Sequence, residues 1–244
     1  MLRVSFIGAG NVASQFASRL SRVGAEIVQI CSRSGVPVSD LDPERADVVI
    51  VAVTDDALAP VLDSIAAPGS ALWLHTAGSA GLDVFDPAKF PRRGVLYPLQ
   101  TMLKGRETDW ANVPLLVEGD PQAGEIARKM SPLVAEVNSA DRRRLHAAAV
   151  MGCNMVMYLW SLSERICRDA GLDFNMLRPL FKLTGRRVME MSPSEAMTGP
   201  AKRGDLSTIR KHIAALPPDI AQVYKHLSAE MLHHFHPHDT LRLD

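Results

Sequence analysis

Leu2-Arg3-Val4-Ser5-Phe6-Ile7-Gly8-Ala9-Gly10-Asn11-Val12-Ala13 decides the fold. A β-branched and aromatic run leads straight into G-x-G-x-x-A, and Ser14 to Val23 continues as a helix-like stretch. In a strand–turn–helix unit of this kind each small residue has a task. Gly8 makes the tight turn, Gly10 lets the backbone approach a pyrophosphate, and Ala13 lets the helix pack closely on the strand. Amides at the helix start, at the positive end of its dipole, then hold phosphate oxygens. Gly8, Gly10, Asn11 and Val12 are therefore expected to bind a dinucleotide. A glycine turn kept only for packing is the alternative.

The next strand, Glu26 to Cys31, bears on which dinucleotide. It ends in Cys31-Ser32-Arg33-Ser34, where NAD-preferring domains usually place an acid for the ribose 2′-OH. A carboxylate there would repel a 2′-phosphate, whereas a guanidinium pairs with it bidentately. Ser32 and Arg33 thus point to NADP(H). Arg33 as a solvated loop residue, or a deviant NAD or flavin site, stays open.

Outward from this unit, strands and helices alternate through the N-terminal half, the pattern of a parallel sheet. Asp47 to Val53 is a continuous apolar run suited to a strand buried on both faces. A helix is expected over 57–66, strands over 70–75, 94–97 and 114–118, and a final helix over 121–134 opened by Asp120 and Pro121. From Asp141 only helices follow, at about 141–170, 173–191, 205–215 and 218–234, with Asp173 and Asp205 as N-caps and Gly171 as a C-cap. The fold class is α/β: a Rossmann-type parallel sheet domain over 1–138, then an all-α domain for substrate and dimerisation over 139–244. Ala147 to Leu162 is apolar nearly all round, so it has to be buried inside the domain or against a second copy.

Bulk properties narrow the function classes. The 244 residues carry 27 Lys plus Arg against 27 Asp plus Glu, with no basic stripe interleaved with aromatics, which argues against nucleic acid. Three cysteines without a C-x-x-C pair argue for a reducing compartment and against a disulfide scaffold or zinc site. The first strand begins at residue 2, leaving no room for a signal peptide, and Ala147–Leu162 is short for a membrane span with Asn154 in its middle. The expectation is a cytoplasmic chain that acts on a small molecule as a homodimer, without membrane or nucleic-acid partners. His233, His234, His236 and His238 near the C-terminus read as an adventitious metal binder, and no physiological metal is expected.

Ligands of open α/β sheets gather beyond the carboxyl ends of the strands. That nominates Val53, Thr54 and His75 beside the cofactor and Tyr97 and Gln100 beside substrate, with Thr76 and Ser79 at the same edge. Asp55 or Asp56 reads as a helix N-cap, and His75 reads equally as a structural histidine bonded to local backbone. In the helical half, His146 and Asn154 are eight residues apart, about 80° around an ideal α-helix. Hydride transfer to C=O or C=N needs a proton donor, and His146 belongs to the suitable class, with Asn154 orienting substrate. His75 is the competing donor, and a core or interface histidine the bland reading. Thr198, Arg203 and His212 cluster around Gly199-Pro200 and Gly204-Asp205, with Arg203 fit to clamp a carboxylate or phosphate.

Together these motifs resemble the Rossmann-like proteins that carry the C-terminal domain of unknown function 2520. The resemblance rests on Gly8 to Ala13, Val53-Thr54-Asp55-Asp56, His75-Thr76-Ala77-Gly78, Tyr97 to Thr101, His146 to Ala149, Asn154, Thr198-Gly199-Pro200 and Arg203-Gly204-Asp205. That group is similar to pyrroline-carboxylate reductases, ketopantoate reductases and deazaflavin-dependent NADP reductases. It implies an NADP-binding N-terminal domain, a helical C-terminal domain and commonly a dimer. Hydroxyacid dehydrogenases of similar layout use a lysine of the helical domain as acid, where this chain offers His146. The resulting expectation is an NADP(H)-dependent oxidoreductase moving hydride to or from a small polar carbonyl or imine in the cleft between its domains. A non-catalytic NADP-binding regulator or scaffold is the alternative.

Overall fold

The structure is a computed structural model that describes residues 1–238; the last six residues of the expected 139–244 domain lie outside the described residues. Two compact units divide at Cys153/Asn154, within a helix that begins next to the expected boundary at 138/139.

The first unit is a seven-stranded sheet. In chain order its strands are β1 (Arg3–Ile7), β2 (Glu26–Cys31), β3 (Val48–Val51), β4 (Leu72–His75), β5 (Arg93–Pro98), β6 (Leu115–Gly119) and β7 (Val134–Glu136). Across the sheet they run β2-β1-β3-β4-β5-β6-β7. The first five are parallel, while β6 pairs with β5 in the antiparallel sense and β7 follows β6. The Rossmann-type parallel sheet is thus present, with an antiparallel pairing of β5 and β6 near one edge. The loop between Pro98 and Leu115 has no helix of more than one turn, so the chain re-enters from the end it left.

Helices cover both faces, which is why β3 is apolar at every position. On one face Val48 and Ile50 pack with Phe16 and Leu20 of α1 (Asn11–Arg22) and with Ile126 and Met130 of α3 (Gln122–Met130). On the other, Val49 and Val51 meet Leu58 and Leu62 of α2 (Asp55–Ser64), with Trp73, Phe85 and Phe90 completing the layer. Gly8, at φ +115°, follows β1 directly and lies against the backbone just beyond β3. A Cβ there would collide with the Ala52 carbonyl oxygen.

The helical part starts with α4 (Ser139–Ala149), passes through a π-helical turn over Val150–Met155 and continues as α5 (Val156–Asp169), 31 residues without a break. The angle expected between His146 and Asn154 on an ideal helix does not hold across a π turn. After α5 the second unit comprises α6 (Arg178–Glu190), two short helices α7 (Pro193–Ala196) and α8 (Pro200–Arg203), then α9 (Leu206–Ala215) and α10 (Pro218–Phe235). Asp173 and Asp205 accept hydrogen bonds from Asn175 and Thr208 amides as expected of caps, and Gly171 takes φ +68° after α5. Ala201, Ile209 and Leu232 form a small core, and Arg165 makes a bidentate bridge from α5 to Asp219 of α10.

The expected burial of Ala147–Leu162 is not met within the chain. None of its most apolar part is buried; Met151, Met157 and Tyr158 are each more than half exposed. By length and composition alone the whole α4–α5 helix would suffice to cross a membrane. The expectation that 147–162 is too short to span therefore holds for that stretch only.

Candidate active site

The turn after β1 is built for an anion. Gly10 caps α1 without any side-chain hydrogen bond, and a Cβ added to it would meet nothing within 4 Å. The Asn11, Val12 and Ala13 amides of the first turn have no hydrogen-bond acceptor among the described residues, and such amides are where an oxyanion binds a helix. Ala13 is buried against the strand, as its position in the motif requires. The Asn11 side chain is committed elsewhere, its Oδ1 accepting from the Lys104 amide at 3.1 Å, so only the Asn11 backbone remains for phosphate.

Beyond β2 the chain makes a tight turn in which the Ser32 amide donates to the Val36 carbonyl. Arg33 stands exposed on this turn and makes no hydrogen bond or ion pair among the described residues. The site thus offers a guanidinium with free donors and no carboxylate. That donor set suits a ribose 2′-phosphate.

The chemistry-bearing cluster lies at the carboxyl ends of β3, β4 and β5. Tyr97, near the end of β5, is buried, and its hydroxyl shares a 2.8 Å hydrogen bond with Nδ1 of His146 on α4. The rings meet edge to face. Gly78 makes this possible: a Cβ there would fall 2.6 Å from His146 Nδ1 and 3.0 Å from Tyr97 Cε2. Burial, with the Asp55 carboxylate adding to it, raises the Tyr97 phenol above its ordinary pKa, against the opposing pull of Arg142. The phenol is therefore protonated at neutral pH.

Asp55 is not the helix cap expected of it. Thr54 occupies that position, and the Asp55 carboxylate accepts instead from the Ser79 hydroxyl, joining the ends of β3 and β4. Val53 is half-buried beside exposed Thr54 at this edge. His75 is fully buried. Its Nδ1 accepts from the Ala77 amide, its ring stacks on Phe85, and its Nε2 has no hydrogen-bond partner among the described residues. Burial, and then the nearby Arg142 charge, lowers its pKa to about 4. The imidazole is therefore neutral at neutral pH, and its side chain has no exposed surface at this edge.

Arg142, one turn before His146, is the brace. Completely buried, it donates to Glu118 at 2.5 Å and to the Ala80 carbonyl at 2.6 Å. Burial acts to raise the Glu118 pKa, but hydrogen bonds from Arg142 and Ser139 outweigh it and hold the group low. This network fixes α4 against the 78–82 segment, and so fixes His146 against Tyr97. Gln100 is exposed, its side chain accepting from the Thr101 amide.

In the second unit, Thr198 and Arg203 are exposed and make no side-chain hydrogen bond among the described residues. Gly199 and Gly204 take φ +104° and +71° on either side of α8, which accounts for the glycines as turn formers. His212 bonds the Tyr224 hydroxyl through Nδ1 at 2.7 Å. Asn154 is exposed rather than buried, so the requirement for buried amide partners falls away in the single chain. Sequence reasoning missed Arg142, the 102–108 loop and the part played by Gly78, because their roles arise only from pairings across the sheet. The charged residues flanking Arg142 give no hint that it is buried.

Residues 113–231 match the family described as a domain of unknown function, DUF2520. No curated protein matches the chain. Among solved structures, a Bacteroides fragilis protein assigned as an NADP oxidoreductase is 32% identical, with a TM-score of 0.88 over 95% of this chain and 98% of that one. A Streptomyces aurantiacus imine reductase is 14% identical, with a TM-score of 0.61 over 96% of this chain and 93% of that one. Plasmodium falciparum pyrroline carboxylate reductase with NADP bound is also 14% identical, at a TM-score of 0.54 over 95% of this chain and 98% of that one. The latter two likenesses concern the fold alone.

Proposed function

This chain belongs to the family of Rossmann-like proteins with a C-terminal DUF2520 domain, and from that premise we propose that it is an NADP(H)-dependent oxidoreductase. Its substrate is a small polar carbonyl or imine compound, or the corresponding alcohol or amine. The observation that carries the reading is the Tyr97–His146 hydrogen bond at the carboxyl edge of the sheet, the same edge as the glycine turn after β1.

The cofactor, when bound, supplies or removes a hydride. The backbone of Gly8, Gly10, Asn11 and Val12 would hold its pyrophosphate and Ser32 and Arg33 its 2′-phosphate, with Val53 and Thr54 bordering it. In the reducing direction the oxygen or nitrogen of the substrate double bond would need a proton. His146 delivers that proton from Nε2, because Nδ1 is engaged by Tyr97. Tyr97 fixes the ring, a task its raised pKa suits, since a phenolate would draw the proton away from the substrate side. Gln100 borders the substrate. Asn154, Thr198, Arg203 and His212 are assigned to orient it from the helical unit, with Arg203 pairing with a carboxylate.

A second copy of the chain covers the exposed face of the π turn and α5 in this reading, because Met155, Met157 and Tyr158 would otherwise stand in water. Three free cysteines fit a reducing, cytoplasmic setting. The test is NADPH oxidation followed by loss of its absorbance across a panel of keto acids, aldehydes and cyclic imines. At least one class should be reduced with NADPH. Tight NADPH binding without oxidation by any class would favour a non-catalytic binding protein.

A further inference from the structure

The loop after β5 is tied down over the start of α1. The Gln15 amide donates to two carbonyls at once, Leu103 at 2.9 Å and Arg106 at 2.6 Å, while its oxygen accepts from the Thr108 hydroxyl. Leu103 and Arg106 also close on each other through an amide–carbonyl bond, with Gly105 at φ +77° in the tip. Asn11 Oδ1 then captures the Lys104 amide, next to the uncapped amides of α1. Together these hydrogen bonds hold one short exposed loop in a fixed place beside the first residue of α1.

We propose that Lys104 is a further cofactor-binding residue, its ammonium pairing with the pyrophosphate from the side opposite the glycine turn. The inference rests on the NADP(H) reading of the same site. Lys104 is exposed and has no ion-pair partner among the described residues. The nearest acid in the loop, Glu107, is taken by Arg22 at 2.9 Å. Lys104 also lines one end of a groove of about 320 Å³ that runs between the loop and Ser14, Gln15, Ser18 and Arg22 along α1. With its backbone anchored on the first residue of that helix, the four-carbon stem can carry a positive charge over the helix start. Because the loop enters from the end of β5, the phosphate it meets is the one on the nicotinamide side. Asn11 and Gln15 are then positioning residues that hold the loop and leave the phosphate to backbone amides and Lys104.

The test is fluorescence titration of NADPH and NADH, with adenosine 2′,5′-bisphosphate as a competitor, against wild type, Lys104→Ala, Lys104→Arg and Arg33→Ala. Lys104→Ala should weaken NADPH and NADH alike by about tenfold, leave the preference between them unchanged, and lower the salt dependence of binding. Adenosine 2′,5′-bisphosphate, which lacks the nicotinamide-side phosphate, should bind this variant as it binds wild type, and Lys104→Arg should retain most of the affinity. Arg33→Ala should lose affinity for NADPH only. Unchanged NADPH affinity in Lys104→Ala, with wild type binding normally, overturns the role of Lys104 alone. Equal losses for the bisphosphate overturn its placement on the nicotinamide side. Failure of wild type to bind NADPH overturns the underlying reading.

Discussion

Removing the Glu118 carboxylate should show how strongly the proton-donor helix depends on one buried charge. Arg142 has no exposed surface, while the Glu118 side chain retains 19% exposure. Glu118→Ala leaves the guanidinium buried with only the Ala80 carbonyl and the Ser139 hydroxyl for acceptors. Breaking a buried pair from one side costs about 3–5 kcal/mol. Water entering through the shortened position 118 reduces this, so about 3 kcal/mol is expected. In Arg142→Met the remaining carboxylate can rehydrate and still accepts from Ser139 at 2.7 Å, which limits the cost to about 1–2 kcal/mol. The double variant should resemble Arg142→Met, giving a coupling of about 3 kcal/mol. Because the chain has two units, the readout is the melting of the first alone, followed through the buried Trp73 and Trp110. At about 2–4 °C per kcal/mol, Glu118→Ala should lower that transition by roughly 6–12 °C. A loss below about 1 kcal/mol, or strict additivity in the double variant, would refute the role of the pair as the brace of α4.

Further predictions concern the site and its surroundings. His75 is neutral when folded, with a pKa of about 4 against about 6.5 unfolded, so the unfolded chain binds the extra proton first. Stability should be intact above about pH 6.5 and fall by up to about 3 kcal/mol as pH drops to about 4. Chemical denaturation across that range should show a flatter dependence in His75→Gln. Gly78→Ala inserts a methyl 2.6 Å from His146 Nδ1 and should displace the imidazole by about 1 Å, which for a reacting group is worth roughly 100-fold in turnover. The NADPH dissociation constant of that variant, measured alongside, should stay within about twofold. Light scattering should give a dimer for wild type and a monomer for Met155→Glu/Met157→Glu; a monomeric wild type that partitions onto lipid vesicles would instead assign the apolar face to a membrane.

Much of the fold was legible because burial leaves a local imprint. The four apolar residues of β3 and the turn from Gly8 to Ala13 need no partner to be recognised. The caps Asp173 and Asp205 are equally local, each bonding an amide two or three residues on. By contrast, β7 is three residues long, only half-buried at Val134, and exists through its pairing with β6. The Asp55–Ser79 contact spans 24 positions and the Lys104–Asn11 contact 93, distances at which no periodicity speaks. His75 was nominated by its place at a strand end, but the same place lets it turn inward onto Phe85. Tyr97 and His146 were each legible as polar groups in suggestive positions. Their union was not, because it depends on the missing side chain at Gly78.

The proton-donor assignment is tested most directly by turnover in His146→Ala, measured with NADPH and whichever carbonyl or imine compound wild type reduces. With His146 as the donor, kcat should fall by at least about 100-fold while NADPH affinity stays within about twofold of wild type. Equal turnover in the two proteins would contradict the assignment and remove His146 from the chemistry.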